Sequence, residues 1–371
     1  MIIRPFTIDV PQSELDDLHR RLELTRWPDA MNDAGWDYGT DLAWLQSLVG
    51  WWQERYDWRA EERRLNAYPH FTAVIDDVRL HFVHRRGSGP DPMPLLLLHG
   101  WPSSFVQMLD ILSLLADPAA DGANPLDSFD VIIASLPGFG FSSSPTDRKM
   151  SYVVMADLFH RLMTDGLGYR RYGIRASDVG CGVMTQIALA HGESIIGIHQ
   201  SGSSGRRGDG ELTAEEQAFF DLVGQWSGER GYAAIQETKP QTLAFGLNDS
   251  PVGLAAWILE KFRAWTDGDL DTVYRRDDLL TNVVLYWFTQ TIAPSIRTYR
   301  DDFDGWIDGI PDVPTGHLRE AGGPPAAPRE MVERAWRVDH WTQAPRGGHF
   351  LEWEQPAVVA EDLRAFFRTL R

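Results

Sequence analysis

A chain of 371 residues is long enough for one large core carrying an insertion, or for two domains. Its 43% apolar and 11% aromatic content excludes disorder, and a formal charge of −18 argues against nucleic-acid binding, because phosphates would be repelled. The one cysteine, Cys181, cannot form an intrachain disulfide, no apolar run is long enough for a membrane span, and residues 1–15 carry Asp9 and Glu14 instead of a signal-like apolar core, so a cytoplasmic protein is expected.

In chain order, residues 12–26 read as a short amphipathic helix with Leu15, Leu18, Leu22 and Leu24 apolar, ended by Trp27-Pro28. Residues 44–56 read as a second helix, with tryptophans on one side. Residues 71–75 and 78–83 flank Asp76-Asp77 as in a hairpin. Residues 95–98, 131–134, 172–176 and 195–199 are short apolar runs of the kind found in buried parallel strands. Helices are expected at 152–163 and 180–190, between these runs. This alternation predicts an α/β fold, a mostly parallel sheet with helices on both faces. It stops near Ser201. Residues 206–305 look mostly helical and aromatic, strand signals return at 313–315 and 338–341, and 356–370 reads as a final helix. The expected organisation is therefore an N-terminal segment (1–70), a core (71–205), a helical insertion acting as a lid (206–305) and the rest of the core (306–371).

Hydrolases built on such sheets carry the nucleophile on a sharp strand-to-helix turn that needs small residues two before and two after it. In Arg175-Ala176-Ser177-Asp178-Val179-Gly180, Ser177 would be flanked by Arg175 and Val179, which are too bulky, whereas Asp178 is flanked by Ala176 and Gly180. Sterics select Asp178. The start of the following helix would favour its ionised form. A plain helix N-cap is the alternative role. Upstream, His99-Gly100-Trp101-Pro102 directly follows a buried strand. A turn there can aim the N–H of Trp101 at the site, to form an oxyanion hole with the N–H of Val179. His99, Gly100 and Pro102 are expected to border the substrate.

With these residues in hand, the chain resembles the microsomal-type branch of the epoxide hydrolases, members of the α/β-hydrolase superfamily. The resemblance covers nearly the whole length. Arg4-Pro5-Phe6 and Leu24-Thr25-Arg26-Trp27-Pro28 look like the family's N-terminal meander. His99-Gly100-Trp101-Pro102 looks like its oxyanion motif, and Leu136-Pro137-Gly138-Phe139-Gly140-Phe141-Ser142 like the loop after its fourth strand. Gly231-Tyr232, Thr238-Lys239-Pro240 and Asp249-Ser250-Pro251-Val252-Gly253 look like its lid, and Arg346-Gly347-Gly348-His349-Phe350 like its catalytic histidine loop. The resemblance implies attack by Asp178 on an epoxide carbon, with Tyr232 and Tyr299 holding the epoxide oxygen. His349 would then activate the water that hydrolyses the ester. It implies no metal and no organic cofactor. An aromatic lid points to a bulky hydrophobic epoxide as substrate. The oligomeric state is not legible, a homodimer being the candidate assembly.

Two departures stand out. The family usually has glycine before the nucleophile and tryptophan after it; here these are Ser177 and Val179. The family also places an acid, the partner of the histidine, at a position that here is Gly322 or Gly323, and the nearest acid is Glu320. Either the loop 321–325 brings Glu320 to His349, or Glu320 is a solvated loop residue and His349 a weakened base. A haloalkane dehalogenase and a catalytically impaired ligand-binding protein are the competing functions. Val179 and the tyrosines argue against the first, and the retained Asp178, Tyr232, Tyr299 and His349 against the second.

Overall fold

Among the residues that the computed structural model describes, 1–202 and 205–371, nine strands form one sheet in the order β1-β2-β3-β5-β4-β6-β7-β8-β9. They are β1 (Ile3–Pro5), β2 (His70–Ile75), β3 (Val78–Arg85), β4 (Met93–Leu98), β5 (Phe129–Ala134), β6 (Tyr172–Ala176), β7 (Ile195–Gln200), β8 (Thr315–Arg319) and β9 (Val338–Gln343). The β1–β2, β2–β3 and β3–β5 pairs are antiparallel, and every pair from β5 to β9 is parallel. Position explains composition. β4 lies between β5 and β6 with helices on both faces, so Leu95, Leu96, Leu97 and Leu98 are all fully buried and the run shows no polar alternation. Chain order reverses on the two sides of β4, which opens a crevice at the carboxyl ends of β4 and β6.

The parallel strands β4 to β7 and the hairpin fall where the apolar runs predict them, and β9 starts at the expected 338, but β8 begins at Thr315 and runs on to Arg319, past the 313–315 expected. The first helix, Gln12–Glu23, stops earlier than expected. Leu15, Leu18 and Leu22 face the core, but Leu24 lies past the helix end and is 71% exposed. A helix at Trp58–Asn66 has no counterpart in the sequence reading. Its buried face carries Glu61 and Glu62 beside Trp58 and Leu65, which breaks the apolar pattern. Each carboxylate is matched by an arginine one turn away, Arg64 and Arg59, at 2.6 Å.

Among the described residues, seven α-helices lie between β7 and β8: Ala214–Gln225, Gly231–Thr238, Pro240–Leu247, Pro251–Trp265, Leu270–Val273, Arg276–Thr289 and Ile292–Asp301. Their starts are written locally. Thr213 and Glu216 form a capping box, and Ser250 caps its helix through the Gly253 N–H with Pro251 in the first turn. The N-terminal segment is bonded to these helices. Trp44 Nε1 donates to Asp271 at 3.1 Å, Trp51 Nε1 to Asp277 at 2.8 Å, Thr40 to the Ala256 carbonyl at 2.8 Å and Arg21 to the Asp249 carbonyl at 2.8 Å. No helix among the described residues is long and apolar enough to cross a membrane.

Candidate active site

β6 ends at Ala176, and the helix Val179–Ala190 begins three residues later. Asp178 occupies the turn with φ 52° and ψ −128°, a strained backbone for any residue with a side chain. The small neighbour is required. A Cβ at Gly180 would lie 2.5 Å from the Leu98 carbonyl oxygen of β4. Ser177, the alternative nucleophile, is buried, and its hydroxyl has no hydrogen-bond partner among the described residues.

The Asp178 carboxylate is held from two sides. The Trp101 N–H donates to Oδ1 at 2.9 Å, and the Val179 N–H also donates to the carboxylate. On the other side His349 Nε2 lies 3.3 Å from Oδ2. Burial alone would raise this carboxyl, but His349 and the two N–H groups overcome it and hold Asp178 below the usual carboxylate range. Burial would likewise lower His349, yet the charge of Asp178, with Glu320 and Glu352 further off, raises it above the ordinary imidazole value. Each group thus favours the charged form of the other.

His349 stands in a fixed turn after β9. Its N–H donates to the Trp265 carbonyl at 2.9 Å, and the Trp265 ring meets the imidazole edge-on at 5.0 Å. Asp267 accepts from the Gly347 N–H at 2.9 Å, and Glu354 accepts from the Gly348 and Phe350 N–H groups. The helical insertion thus holds the histidine loop from outside.

Glu320 directly follows β8 and is buried. A point one bond from the Gly202 Cα lies 3.0 Å from Glu320 Oε1 and 3.9 Å from His349 Nδ1, so carboxylate and imidazole face the same small space beside β7. Burial raises the Glu320 carboxyl, opposed by its own N–H, the charge of His349 and the Gly202 N–H. Gly322 and Gly323 have no room for an acid. A Cβ at Gly323, where φ is +80°, would lie 2.4 Å from the Trp265 carbonyl, and one at Gly322 2.9 Å from Asp267.

A cavity of about 190 Å³ joins these groups, lined by Asp178, His349, Glu320 and Tyr232 and walled by Trp226, Trp265, Pro324 and Pro325. It lies below the ~300–1,000 Å³ common for drug-sized ligands, which narrows the bulky substrate expected from the sequence. A larger groove of about 1,150 Å³ between the N-terminal segment and the start of helix Pro251–Trp265 contains none of these groups.

The two tyrosines take different places. Tyr232 faces the cavity, with its ring stacked on Trp101 at 5.3 Å and 6°. Tyr299 sits behind it, edge-on to both rings and hydrogen-bonded to the Tyr232 phenol. His99, Gly100 and Pro102 shape the turn and do not line the cavity. His99 Nε2 accepts from the Leu136 N–H at 3.3 Å deep in the core, and burial pushes the ring down to about 4. Gly100 leaves room for Asp178, and the Pro102 carbonyl accepts from Asn282 at 2.8 Å. Trp265, which the sequence analysis did not single out, walls the cavity.

Sequence reasoning missed the buried charges beneath the site. Arg175 and Glu352 are both fully buried, 2.7 Å apart. Glu352 also accepts from Gln107 at 2.7 Å, and Arg175 reaches His199 Nδ1 at 3.0 Å and the Ser201 hydroxyl. A charged residue in the otherwise apolar run 172–176 was the available signal.

Comparison with known proteins agrees with this geometry. The family description "Epoxide hydrolase N terminus" matches residues 3–108, and "alpha/beta hydrolase fold" matches residues 93–242. A Stigmatella aurantiaca protein, named provisionally as an epoxide hydrolase, is 40% identical over 100% of this chain and 86% of its own. Epoxide hydrolase 1 of Sus scrofa is 33% identical over 99% of this chain and 89% of its own. The Aspergillus niger epoxide hydrolase structure superposes with a TM-score of 0.90 at 28% identity, covering 100% of this chain and 97% of that one. The α/β-hydrolase sheet, the strained turn at its crevice and these full-length relatives lead to one assignment: the chain is a hydrolase that belongs to the epoxide hydrolase family.

Proposed function

We propose that this enzyme opens a small hydrophobic epoxide to a vicinal diol through an ester on Asp178. The observation that carries the reading is the Asp178 carboxylate, fixed between two backbone N–H groups and His349 at the mouth of an aromatic cavity. An oxygen of Asp178 bonds to one epoxide carbon while that carbon's bond to the ring oxygen breaks. The oxygen leaves as an alkoxide and takes a proton from Tyr232, whose phenol is supported by Tyr299. Esterification removes the charge of Asp178. His349 then loses the neighbour that held it protonated, gives its proton by way of water to the Tyr232 phenolate left by the first step, and becomes a base.

In the second step His349 takes a proton from water, and the hydroxide adds to the ester carbonyl. The N–H groups of Trp101 and Val179, which hold the resting carboxylate, receive the oxyanion of the tetrahedral intermediate. Collapse frees the diol and restores Asp178. Glu320 orients His349 and balances its charge. The helices between β7 and β8 act as the lid, supplying Tyr232, Tyr299 and the cavity wall.

An intact-mass time course with aryl and alkyl epoxides, with diol followed in parallel, tests this. Transient mass addition on Asp178 with continuing diol release is expected. Neither adduct nor diol from any epoxide small enough for the cavity would refute the proposal.

A further inference from the structure

The chain carries almost all its positive charge on arginine, with lysine only at 149, 239 and 261. Lys149 and Lys239 are exposed, whereas Lys261 is 4% exposed, inside the helix Pro251–Trp265. Its Nζ lies 3.0 Å from Glu229 Oε2, 3.4 Å from the Glu229 carbonyl and 2.8 Å from Glu260 Oε2. These are three acceptors for the three protons of an ammonium. The same nitrogen stands over the Tyr232 ring, 5.0 Å from its centroid, and 5.9 Å from that of Trp265. Tyr232, Trp265 and Glu229 line the catalytic cavity, and Lys261 does not. A compact ammonium suits this position, where a planar guanidinium would compete with the ring stacking.

We propose that Lys261 is a positioning residue for the first chemical step, holding the Tyr232 ring in register with Asp178 by a cation–π contact. The inference rests on the epoxide reading. Cation–π attraction is strongest where water is excluded, as here. The two carboxylates fix the ammonium, and the ammonium offsets half of their charge beside a phenol that must give up a proton. Without it, Glu229 and Glu260 would present uncompensated negative charge to that phenol.

The proposal separates the two steps. Lys261 touches neither Asp178 nor His349, so its loss should slow ester formation and leave ester hydrolysis alone. In single-turnover rapid-quench measurements with styrene oxide, Lys261→Met should form the Asp178 ester about tenfold more slowly, a change of about 1.4 kcal/mol in the barrier. The hydrolysis rate of the isolated ester should stay within twofold of wild type. In a Tyr232→Phe background the same substitution should add no further loss. Should Lys261→Met fail to fold, Glu260→Gln loosens the ammonium and should slow the same step about threefold. Equal slowing of both steps, or a full additional loss in the Tyr232→Phe background, would overturn the positioning role. A wild-type enzyme that formed neither adduct nor diol would instead remove the epoxide reading beneath it.

Discussion

Replacing Gly100 with alanine probes how tightly the nucleophile is seated. A Cβ built at this position lies 2.2 Å from Asp178 Oδ1 and 2.3 Å from its Cβ, more than an ångström inside ordinary van der Waals contact of about 3.4–4 Å. The atoms it meets belong to a short side chain on a strained turn, which cannot swing away as the tip of a long side chain can. The carboxylate must shift by about an ångström, away from the Trp101 N–H that fixes it at 2.9 Å. Misplacement on that scale costs on the order of 100-fold in rate, or about 2.7 kcal/mol. We therefore expect Gly100→Ala to form the Asp178 ester about 100-fold more slowly in single-turnover quench experiments. Thermal unfolding followed by circular dichroism controls for lost fold. An ester-formation rate within threefold of wild type, in a folded variant, would refute the argument that the Gly100 turn sets the nucleophile's position.

Other consequences concern charge. Asp178→Asn removes the charge that raises His349, so the titration of His349 followed by NMR should move to lower pH than in the wild type. No movement would show that the pair is uncoupled. Ester hydrolysis in the alkylated enzyme should accordingly keep its rate at pH values where resting His349 is still protonated, checked by a pH profile of the isolated adduct. Glu320→Gln should slow ester hydrolysis at least tenfold while sparing ester formation, so that intact mass shows the adduct accumulating; unchanged hydrolysis would exclude Glu320 as the partner of His349. Arg175→Met leaves Glu352 buried without its cation and should cost about 3–5 kcal/mol in urea unfolding, largely recovered by adding Glu352→Leu. A cost below about 1 kcal/mol would contradict the burial of the pair.

Much of the architecture was legible because it rests on local rules. Uninterrupted apolar runs mark the central parallel strands, and Ala176 and Gly180 mark the turn around Asp178. The helix Trp58–Asn66 was hidden because it buries two glutamates, whose arginine partners neutralise them only in the folded chain. Distance in sequence hid most of what surrounds the chemistry. Trp226 and Trp265 reach the cavity wall, and Lys261 the Tyr232 ring behind it, through helix packing that no local pattern encodes. That Gly322 and Gly323 are too crowded to bear an acid is visible only from Trp265 and Asp267 across the loop. Both phenols were expected at the epoxide oxygen, but Tyr232 lines the cavity while Tyr299, on another helix, packs edge-on against its ring.

The bonds from Arg21, Thr40, Trp44 and Trp51 to the insertion have a kinetic consequence. They lash the first 51 residues across the helices above the crevice like a strap over a lid. Three of the strap's anchors, Asp271, Asp277 and Ala256, lie on or beside the long helices Pro251–Trp265 and Arg276–Thr289. A hinge opening of the whole insertion would break these bonds together. The short turn Trp226–Arg230, whose Trp226, Glu229 and Arg230 form one wall of the cavity, receives none of these four bonds and is the expected route for traffic. We expect that turn, which Lys261 ties down through Glu229, to set how fast product leaves.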